Sequence, residues 1–227
     1  MLKIILNRLK RQAEKIIAEE QAGFRAVGST TEYILNLRIL CEKYLQHQQD
    51  LYHVFIDLKK AFDRVLHAAL WETMKKNNIS ANRIRFIKHL YDKATCAALF
   101  NCSIRDWFQT TVRVQQGCLV SSTLFNIFLE GITTDVLENH ECTVSIGGRT
   151  ITSLRFAGDI DGLAGEGEEL AKLVERLDKA FTAYAMEISA EKTKLMTNDT
   201  SGINREMKVN GQKLETLTSL QYLGSVV

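Results

Sequence analysis

The sequence predicts an α+β protein in which antiparallel strands pair as hairpins and helices cover the sheet. Strand and helix patterns do not alternate regularly, as they would in a doubly wound parallel sheet. Two-residue turn signals, Gly147-Gly148 and Asn210-Gly211, also separate neighbouring strand patterns. The 227 residues include no proline, so we expect Gly, Asn, Asp and Ser to form the turns.

The first half of the chain is mainly helical in pattern. Apolar residues recur at helical spacing from Leu2 to Ile17, and Ser29-Thr30-Thr31-Glu32 predicts a capped helix that continues to Leu45. The apolar run from Leu51 to Ile56 predicts a buried strand that ends on Asp57. The patterns that follow are helices over 61–76 and 80–91, a hairpin of 95–100 with 108–114, and a long buried helix over 119–136.

Short strands dominate the second half. Only Ala157-Gly158-Asp159 joins the strand pattern that ends at Phe156 to the next one, so Asp159 is predicted in a tight turn. An amphipathic helix is predicted over 168–184. The strand patterns are 144–146, 151–156, 160–164, 194–197, 207–209, 213–214 and 220–223.

Composition limits the classes of protein and partner. Hydrophobic residues make up 45% and charged residues 25%, which is ordinary globular usage, and the net charge is only +2. Nucleic-acid binding would therefore depend on local clusters of Lys and Arg. The five cysteines are widely spaced without a C-x-x-C pair, which argues against a disulfide framework or a zinc site. We expect an intracellular protein, nuclear or cytoplasmic, without a membrane span.

Two acidic residues lie where predicted strands end. Asp57 follows a buried strand, and Asp159 lies in the turn of a hairpin, so both can reach one edge of a sheet. Carboxylates are ligands that Mg²⁺ prefers, and nucleotidyl transfer uses two such ions, for the attacking hydroxyl and the triphosphate. For Asp57 alone, a capping or salt-bridged acid is an equally good interpretation.

Several ordered segments together resemble the palm motifs of reverse transcriptases. The palm-like segments are Phe55-Ile56-Asp57-Leu58-Lys59-Lys60-Ala61-Phe62-Asp63, Gln116-Gly117-Cys118-Leu119, Phe156-Ala157-Gly158-Asp159 and Lys192-Thr193. Gln21-Ala22-Gly23-Phe24-Arg25 and Tyr222-Leu223-Gly224 extend the resemblance to the non-LTR retrotransposon branch. The resemblance covers almost the whole chain.

The resemblance implies a right-hand polymerase fold. Residues 1–50 would form a partial, mainly helical fingers region. Residues 51–227 would form the palm, a ferredoxin-like antiparallel sheet with covering helices and a primer-grip hairpin near the C-terminus. The resemblance also leads us to expect neither the fingers segment that contributes an arginine in this family nor the thumb helices within these residues.

The resemblance also implies the metal ligands. Asp57 and Asp159 match metal-binding aspartates, and the carbonyl of Leu58 matches an additional ligand. The family binds two Mg²⁺ ions at these positions. Lys192 resembles the lysine that protonates the leaving pyrophosphate, although a solvated lysine fits the sequence nearly as well.

Other matching residues imply contacts with substrates. Phe62 matches the aromatic gate beneath the sugar of the incoming deoxynucleoside triphosphate, although a core aromatic is the plain alternative. Gln116 and Gly117 match a segment near the incoming base and the template. Arg25 and the hairpin Tyr222-Leu223-Gly224 match regions that contact an RNA template and a DNA primer. The candidate phosphate contacts are Arg25, Lys59, Lys60, Arg64 and Lys88.

The main departure from the family is Gly158. Family members carry Phe-Ala-Asp-Asp, and the first of those aspartates, which usually binds both metals, is Gly158 here. Asp161 lies one step further along the strand, so we do not expect it to replace the missing ligand. Other departures are Val27, Gly28, Gln115 and Ser122. Together they predict an impaired or inactive copy.

Three functions fit the sequence. The first is an RNA-directed DNA polymerase domain that is degenerate in this copy. The second is a non-catalytic palm-fold remnant that binds nucleic acid or protein. The third is another two-metal palm enzyme such as a nucleotide cyclase, which the helix pattern after Gln116-Gly117 disfavours. The sequence does not indicate an oligomeric state.

Overall fold

The computed structural model describes residues 2–25, 28–100, 103–115, 117–118, 120–137, 140, 143–199 and 206–227. Two compact units are present, one formed by Met1–Ile17 with Phe62–Gly131, the other by Ala18–Ala61 with Ile132–Val227. The boundary between fingers and palm at residue 50 stays a prediction. The helix that precedes residue 50 packs on the sheet that follows it.

The chain forms six α-helices and thirteen strands among the described residues. The helices are α1 Leu2–Ala13, α2 Thr30–Gln46, α3 His67–Lys76, α4 Ala81–Asp92, α5 Ser121–Leu137 and α6 Gly167–Ala183. The longer strands are β1 Tyr52–Ile56, β2 Thr95–Phe100, β3 Ser103–Gln109, β6 Ser153–Phe156, β7 Asp159–Ala164 and β8 Lys194–Thr197. The two-residue strands are β4 Ser145–Ile146, β5 Arg149–Thr150, β9 Lys208–Val209, β10 Gln212–Lys213, β11 Glu215–Thr216, β12 Gln221–Tyr222 and β13 Ser225–Val226.

The unit that contains residues 132–227 is built on a five-stranded sheet in the order β11-β8-β1-β7-β6. β1 is antiparallel to both of its neighbours, β7 and β8, and β7 is antiparallel to β6. Only the edge strand β11 runs parallel to its neighbour. This mixed α+β architecture with a central, mainly antiparallel sheet confirms the predicted fold class.

Alternate residues of β1 face opposite layers, as strand geometry requires. On one face, a Cβ added at Gly162 would lie 2.8 Å from Val54 and 3.0 Å from Leu173, so α6 packs closely there. On the other face, Phe55 belongs to an apolar cluster with residues of α2, including Tyr33 and Leu37. The central sheet is therefore buried between two helices.

The other unit contains α1, α3, α4 and the hairpin β2–β3. A helix was predicted over residues 61–76, but Ala61–Arg64 forms a short 3-10 turn and α3 begins only at His67. The reason is that two carbonyls of this segment pair with a later segment. Phe62 O accepts from Val114 N–H at 2.9 Å, and Val65 O accepts from Arg113 N–H at 2.8 Å.

The same pairing corrects the second strand of the predicted hairpin. Residues 108–114 were expected to form it, whereas Ser103–Gln109 pairs with β2. The predicted hairpin turns at Gly147-Gly148 and Asn210-Gly211 are confirmed, with positive φ values of 60°, 80°, 50° and 75° along the four residues. The predicted N-cap of α2 is also confirmed, because Ser29 Oγ accepts from Glu32 N–H at 3.1 Å. Among the described residues, no helix is both long and apolar enough to cross a membrane.

Candidate active site

Asp57 and Asp159 lie opposite each other at one end of the central sheet. β1 and β7 are antiparallel, and their register pairs Ile56 with Ile160. Continuing this register by one residue places Asp57 opposite Asp159, the first residue of β7. Directly opposed residues point to the same face, with Cβ atoms about 4.5–5.5 Å apart. The two carboxylates therefore lie close together at the end of the sheet where β1 ends and β7 begins.

Backbone contacts fix Asp57 and Leu58 in place. The N–H of Asp57 donates to Thr193 Oγ1 at 3.3 Å, and its carbonyl accepts from Ser189 N–H at 2.8 Å. Leu58 pairs with Ile188 in a single antiparallel bridge. The two backbone bonds of this bridge belong to the residues on either side of Leu58, so they do not use its carbonyl oxygen.

Lys192 lies beside the two acids. Its Nζ is 3.7 Å from Asp57 Oδ2, and its side chain is 69% exposed. An exposed pair of this kind contributes at most about 1 kcal/mol to stability. The ammonium group thus lies near the carboxylates, and the weak, exposed contact does not fix its orientation.

The electrostatics of the sheet edge favour a cation. Burial, and then the negative charge of Asp57, raise the pKa of Asp159 above its ordinary value, while Lys192 lowers it. Two neighbouring carboxylates repel each other, and a bound cation replaces that repulsion with attraction. The two ionised acids would therefore be more stable with a shared cation between them than without one.

The turn between β6 and β7 places Gly158 next to Asp159. Phe156 pairs with Asp159, so Ala157 and Gly158 form a two-residue turn. Ala157 adopts the left-handed conformation, with φ at 57°. Gly158 itself does not have a positive φ. The backbone conformation therefore does not require glycine at position 158.

A buried glutamine holds this turn. Gln21 is 1% exposed, and its Oε1 accepts from the N–H groups of Ala157 at 2.7 Å and Gly23 at 2.9 Å. Its Nε2 donates to the Ala157 carbonyl at 3.1 Å. A Cβ at Gly23 would lie 2.1 Å from the Ala157 nitrogen, so this close approach requires glycine. Sequence reasoning gave Gln21 no role, and its only signal was its place in the Gln-Ala-Gly-Phe-Arg motif.

Asp161 is committed to a different contact. Its side chain is fully buried, and its carboxylate accepts from His53 Nδ1 at 3.1 Å. Burial raises the pKa of Asp161, and His53 opposes that shift. Asp161 is therefore paired with His53, and the expectation that it does not act as a metal ligand stays a prediction.

Two residues predicted to contact the nucleotide, Phe62 and Gly117, belong to the unit that contains Phe62–Gly131. Phe62 is half-buried and stacks on Phe125, with ring centroids 4.5 Å apart. Gly117 has φ at 81° and is exposed, and a Cβ there would meet nothing within 4 Å. Gln116 lies outside the described residues.

Two predicted nucleic-acid contacts are engaged within the protein. The Arg25 guanidinium donates to the carbonyls of Ala18 at 2.8 Å and Gln21 at 3.2 Å, so it stabilises the loop that holds the β6–β7 turn. Lys59 Nζ donates to Glu187 Oε1 at 2.6 Å. Neither contact was visible from the sequence, because the partners are backbone groups or distant in the chain.

The predicted primer-grip hairpin is a β-hairpin in the structure. Tyr222 is buried, and its ring lies 4.7 Å from that of Phe55 and 5.9 Å from that of Tyr33. Leu223 and Gly224 form the turn between β12 and β13, with φ values of 47° and 82°. Tyr222 thus anchors the hairpin in the core, while its turn reaches the surface.

Comparison with known proteins gives one consistent result. The family described as "Reverse transcriptase (RNA-dependent DNA polymerase)" matches residues 1–227. The R2 retrotransposon Pol polyprotein of Nasonia vitripennis is 22% identical over 211 residues, which cover 93% of this chain and 20% of that protein. The polymerase of the Drosophila melanogaster mobile element jockey is 25% identical over 239 residues, which cover 99% of this chain and 25% of that protein. The chain therefore spans about a quarter or less of these relatives.

Solved structures show a similar fold. Apo telomerase of Candida tropicalis, truncated from its C-terminal domain, matches with a TM-score of 0.68 at 20% identity, over 93% of this chain and 43% of that one. Telomerase of the same organism in complex with a fragment of telomeric RNA matches with a TM-score of 0.69 at 17% identity, over 94% of this chain and 36% of that one.

Replacing Asp159 with Asn is expected to stabilise the protein near neutral pH. The native pKa of Asp159 is raised, so its ionised form costs stability once the pH exceeds the ordinary pKa of about 4. Asp159→Asn should raise the free energy of unfolding at pH 7 by roughly 0.2–1 kcal/mol, the size of one like-charge cross-strand pair. The gain should vanish near pH 3, where both states of the wild type are protonated.

Urea denaturation at several pH values measures this difference. Asp63→Asn, at an exposed position, serves as the control for losing one carboxylate. A destabilised Asp159→Asn variant at pH 7 would contradict the electrostatic account.

Replacing Gln21 with Ala is expected to loosen the β6–β7 turn. The change removes three hydrogen bonds and leaves the Ala157 N–H without its partner, at a cost of about 1–3 kcal/mol. Hydrogen exchange should show faster exchange of the Ala157 amide. Gln46→Ala, at the exposed end of α2, should change stability by less than about 0.5 kcal/mol. Unchanged exchange at Ala157 would show that Gln21 does not hold the turn.

Proposed function

Because the chain belongs to the reverse transcriptase family, we propose that it is an RNA-directed DNA polymerase domain whose nucleotidyl-transfer site is impaired in this copy. The observation that carries the proposal is the register of β1 and β7, which sets Asp57 opposite Asp159. Membership of this family also argues against the third candidate function, a nucleotide cyclase. In this proposal, residues 51–227 form the palm and residues 1–50 form part of the fingers.

The residues at the sheet edge fit a divalent cation. Asp57 and Asp159 supply two carboxylates, and the carbonyl of Leu58 is not used by the neighbouring bridge bonds. Mg²⁺ takes oxygen ligands of this kind. A bound ion would stabilise negative charge on the transferring phosphoryl group and on the leaving pyrophosphate.

Gly158 is the proposed cause of the impairment. The described residues contain no group of three or more His, Cys, Asp or Glu side chains that could hold a metal. A site for two dications would therefore have only two carboxylates. It would carry one negative charge fewer than the three aspartates of the family supply. If the deficit costs about 4 kcal/mol of transition-state stabilisation, the rate falls roughly a thousandfold.

The proposed partners are an RNA template, a DNA primer and deoxynucleoside triphosphates. One structural neighbour was solved with an RNA fragment, and the relative from jockey is described as an RNA-directed DNA polymerase. Lys192, next to Asp57, is the proposed proton donor to the leaving pyrophosphate. Phe62 is the proposed gate at the nucleotide sugar, with Gln116 and Gly117 near the base. The turn Leu223-Gly224 is the proposed primer contact.

A non-catalytic remnant is the second candidate function. Gly158 favours it, because a fold that has lost a metal ligand can persist while its reaction is lost. Under this alternative, the palm fold binds nucleic acid or protein without turnover. The experiments below separate the two functions.

Restoring the missing carboxylate is expected to strengthen metal binding. Gly158→Asp should lower the dissociation constant for Mn²⁺ at least about tenfold, equivalent to about 1.4 kcal/mol. Gly158→Asn fills the same volume without charge and should not produce the gain. Asp57→Asn in the Gly158→Asp background should remove it. Isothermal titration measures all four proteins, and equal gains in the Asp and Asn variants would refute the ligand role of position 158.

Primer extension tests catalysis directly. With an RNA template, a DNA primer, Mg²⁺ and deoxynucleotides, we expect negligible incorporation by the unmodified chain. Gly158→Asp should raise incorporation roughly a thousandfold in a chain that also carries the flanking fingers and thumb segments of a reverse transcriptase. Asp57→Asn controls for contaminating polymerase. Appreciable turnover by the unmodified chain would refute the proposed impairment.

A further inference from the structure

The outer side of α2, opposite the side that packs on the central sheet, carries a line of exposed residues. This line, the α2 stripe, consists of Leu35, Arg38, Glu42 and Leu45. Leu35 is 55% exposed and Leu45 is 59% exposed. Single apolar residues scattered over a surface are ordinary, so the spacing within the stripe decides whether it is suited to a partner.

The spacing of the stripe is that of a helix-packing seam. Its four residues follow one another at intervals of three, four and three. Alternating intervals of three and four form the heptad repeat along which two helices pack against each other. An α-helix has about 3.6 residues per turn, so side chains at these intervals stay on one face. The exposure of the stripe shows that no described segment of the chain covers it.

The stripe is complementary to a reversed copy of itself. Leu35 and Leu45 lie five residues before and after position 40, and Arg38 and Glu42 lie two residues before and after it. A two-fold axis at the level of position 40 would place a second α2 antiparallel to the first. Leu35 would then face Leu45 of the second copy, and Arg38 would face Glu42 of the second copy. Each contact would occur twice.

The charged residues select this antiparallel arrangement. Arg38 donates to the carbonyl of Val226 at 3.3 Å, which leaves other N–H groups of its guanidinium for a carboxylate. A parallel pair of α2 helices would set Arg38 against Arg38 and Glu42 against Glu42, and such like-charge contacts are costly. A polar pair within an apolar seam therefore fixes the direction and register of its partner.

Hollows beside the stripe provide room for the two leucines of a partner. Leu35 and Leu223 line a hollow of about 420 Å³ at one end of the stripe. Leu45, Leu51 and Val226 line a hollow of about 540 Å³ at the other end. In the antiparallel arrangement, Leu45 of the second copy would lie at the first hollow and Leu35 of the second copy at the second. Burial of these apolar side chains would favour association.

We propose that the α2 stripe is a homodimer interface on which α2 of a second copy packs antiparallel. α2 has 17 residues and is about 25 Å long, so a contact between two such helices falls below the roughly 1,200 Å² of a standard interface. We therefore expect a weak dimer with a dissociation constant of roughly tens of micromolar. This inference is independent of the proposed polymerase function, because the stripe shares no residue with the candidate active site.

Sedimentation velocity of the whole chain over a range of concentrations tests the dimer. The sedimentation coefficient should rise from that of a monomer to that of a dimer as the concentration passes the dissociation constant. Added salt should weaken the dimer, because it screens exposed charge pairs. A chain that remains monomeric about tenfold above the expected dissociation constant would overturn the proposal.

Charge reversal tests the antiparallel register. Arg38→Glu places two acids in each charged contact and Glu42→Arg places two bases there, so each variant alone should dimerise at least about tenfold more weakly. An equal mixture of the two variants restores opposite charges in both contacts and should form a mixed dimer. The double variant Arg38→Glu with Glu42→Arg should dimerise by itself. A mixture that stays monomeric while the unmodified chain dimerises would refute the proposed register.

Matched variants on the same helix serve as controls. Lys43→Glu and Glu32→Arg make the same changes of charge at exposed positions outside the stripe, and each should leave the dissociation constant within about twofold. Leu35→Ala should weaken the dimer, since it removes an apolar side chain from each half of the seam. Circular dichroism of every variant verifies folding. Dimerisation that Arg38→Glu does not weaken, or that Lys43→Glu weakens equally, would contradict an interface at the stripe.

Discussion

The antiparallel register of β1 and β7 is the constraint that positions the acidic side chains of the central sheet. It sets Asp57 opposite Asp159, and on the same face it brings His53 to Asp161. Side chains alternate between the faces of a strand, so a slip of one residue would turn the whole set toward the opposite layer. That slip would also bring Val54 out from under α6, where Gly162 and Leu173 enclose it. Packing against α6 therefore fixes the positions of the acids.

Two pairs of charged residues on this sheet differ in their burial. Asp161 is fully buried and His53 nearly so, and each compensates the other, because an unpaired buried charge is costly. Asp57 keeps a third of its side-chain surface exposed at the end of β1, where its ion-pair partner is the exposed Lys192. A carboxylate pair with a weak, mobile partner can exchange it for a cation, whereas a buried pair cannot. The same face of the sheet thus carries an exposed ion pair, Asp57 with Lys192, whose partner can be exchanged, and a buried pair, His53 with Asp161, whose partner cannot.

The fold class, the hairpin turns and the opposed acids could be predicted, because they depend on local periodicity and on turn residues. Other features depend on contacts between distant segments. The segment 61–66 follows a helical pattern, yet its carbonyls pair with Arg113 and Val114, which no local pattern shows. From the sequence alone, Gln21 would be interpreted as a surface amide, and only the structure shows its hydrogen bonds to Ala157. Cys41 and His53 lie twelve residues apart and form no recognisable sequence motif, since their contact depends on α2 packing over the sheet.

The turn that contains Gly158 is held by contacts that do not involve the side chain at this position. Gln21 still holds the turn, and the backbone of Asp57 is still bonded to Ser189 and Thr193. Ala157, not Gly158, takes the left-handed conformation, so the turn geometry does not depend on glycine at 158. A site whose frame had collapsed would need many changes to recover. Here the frame is present, so under the proposed function the site would lack only one negative charge beside the two acids.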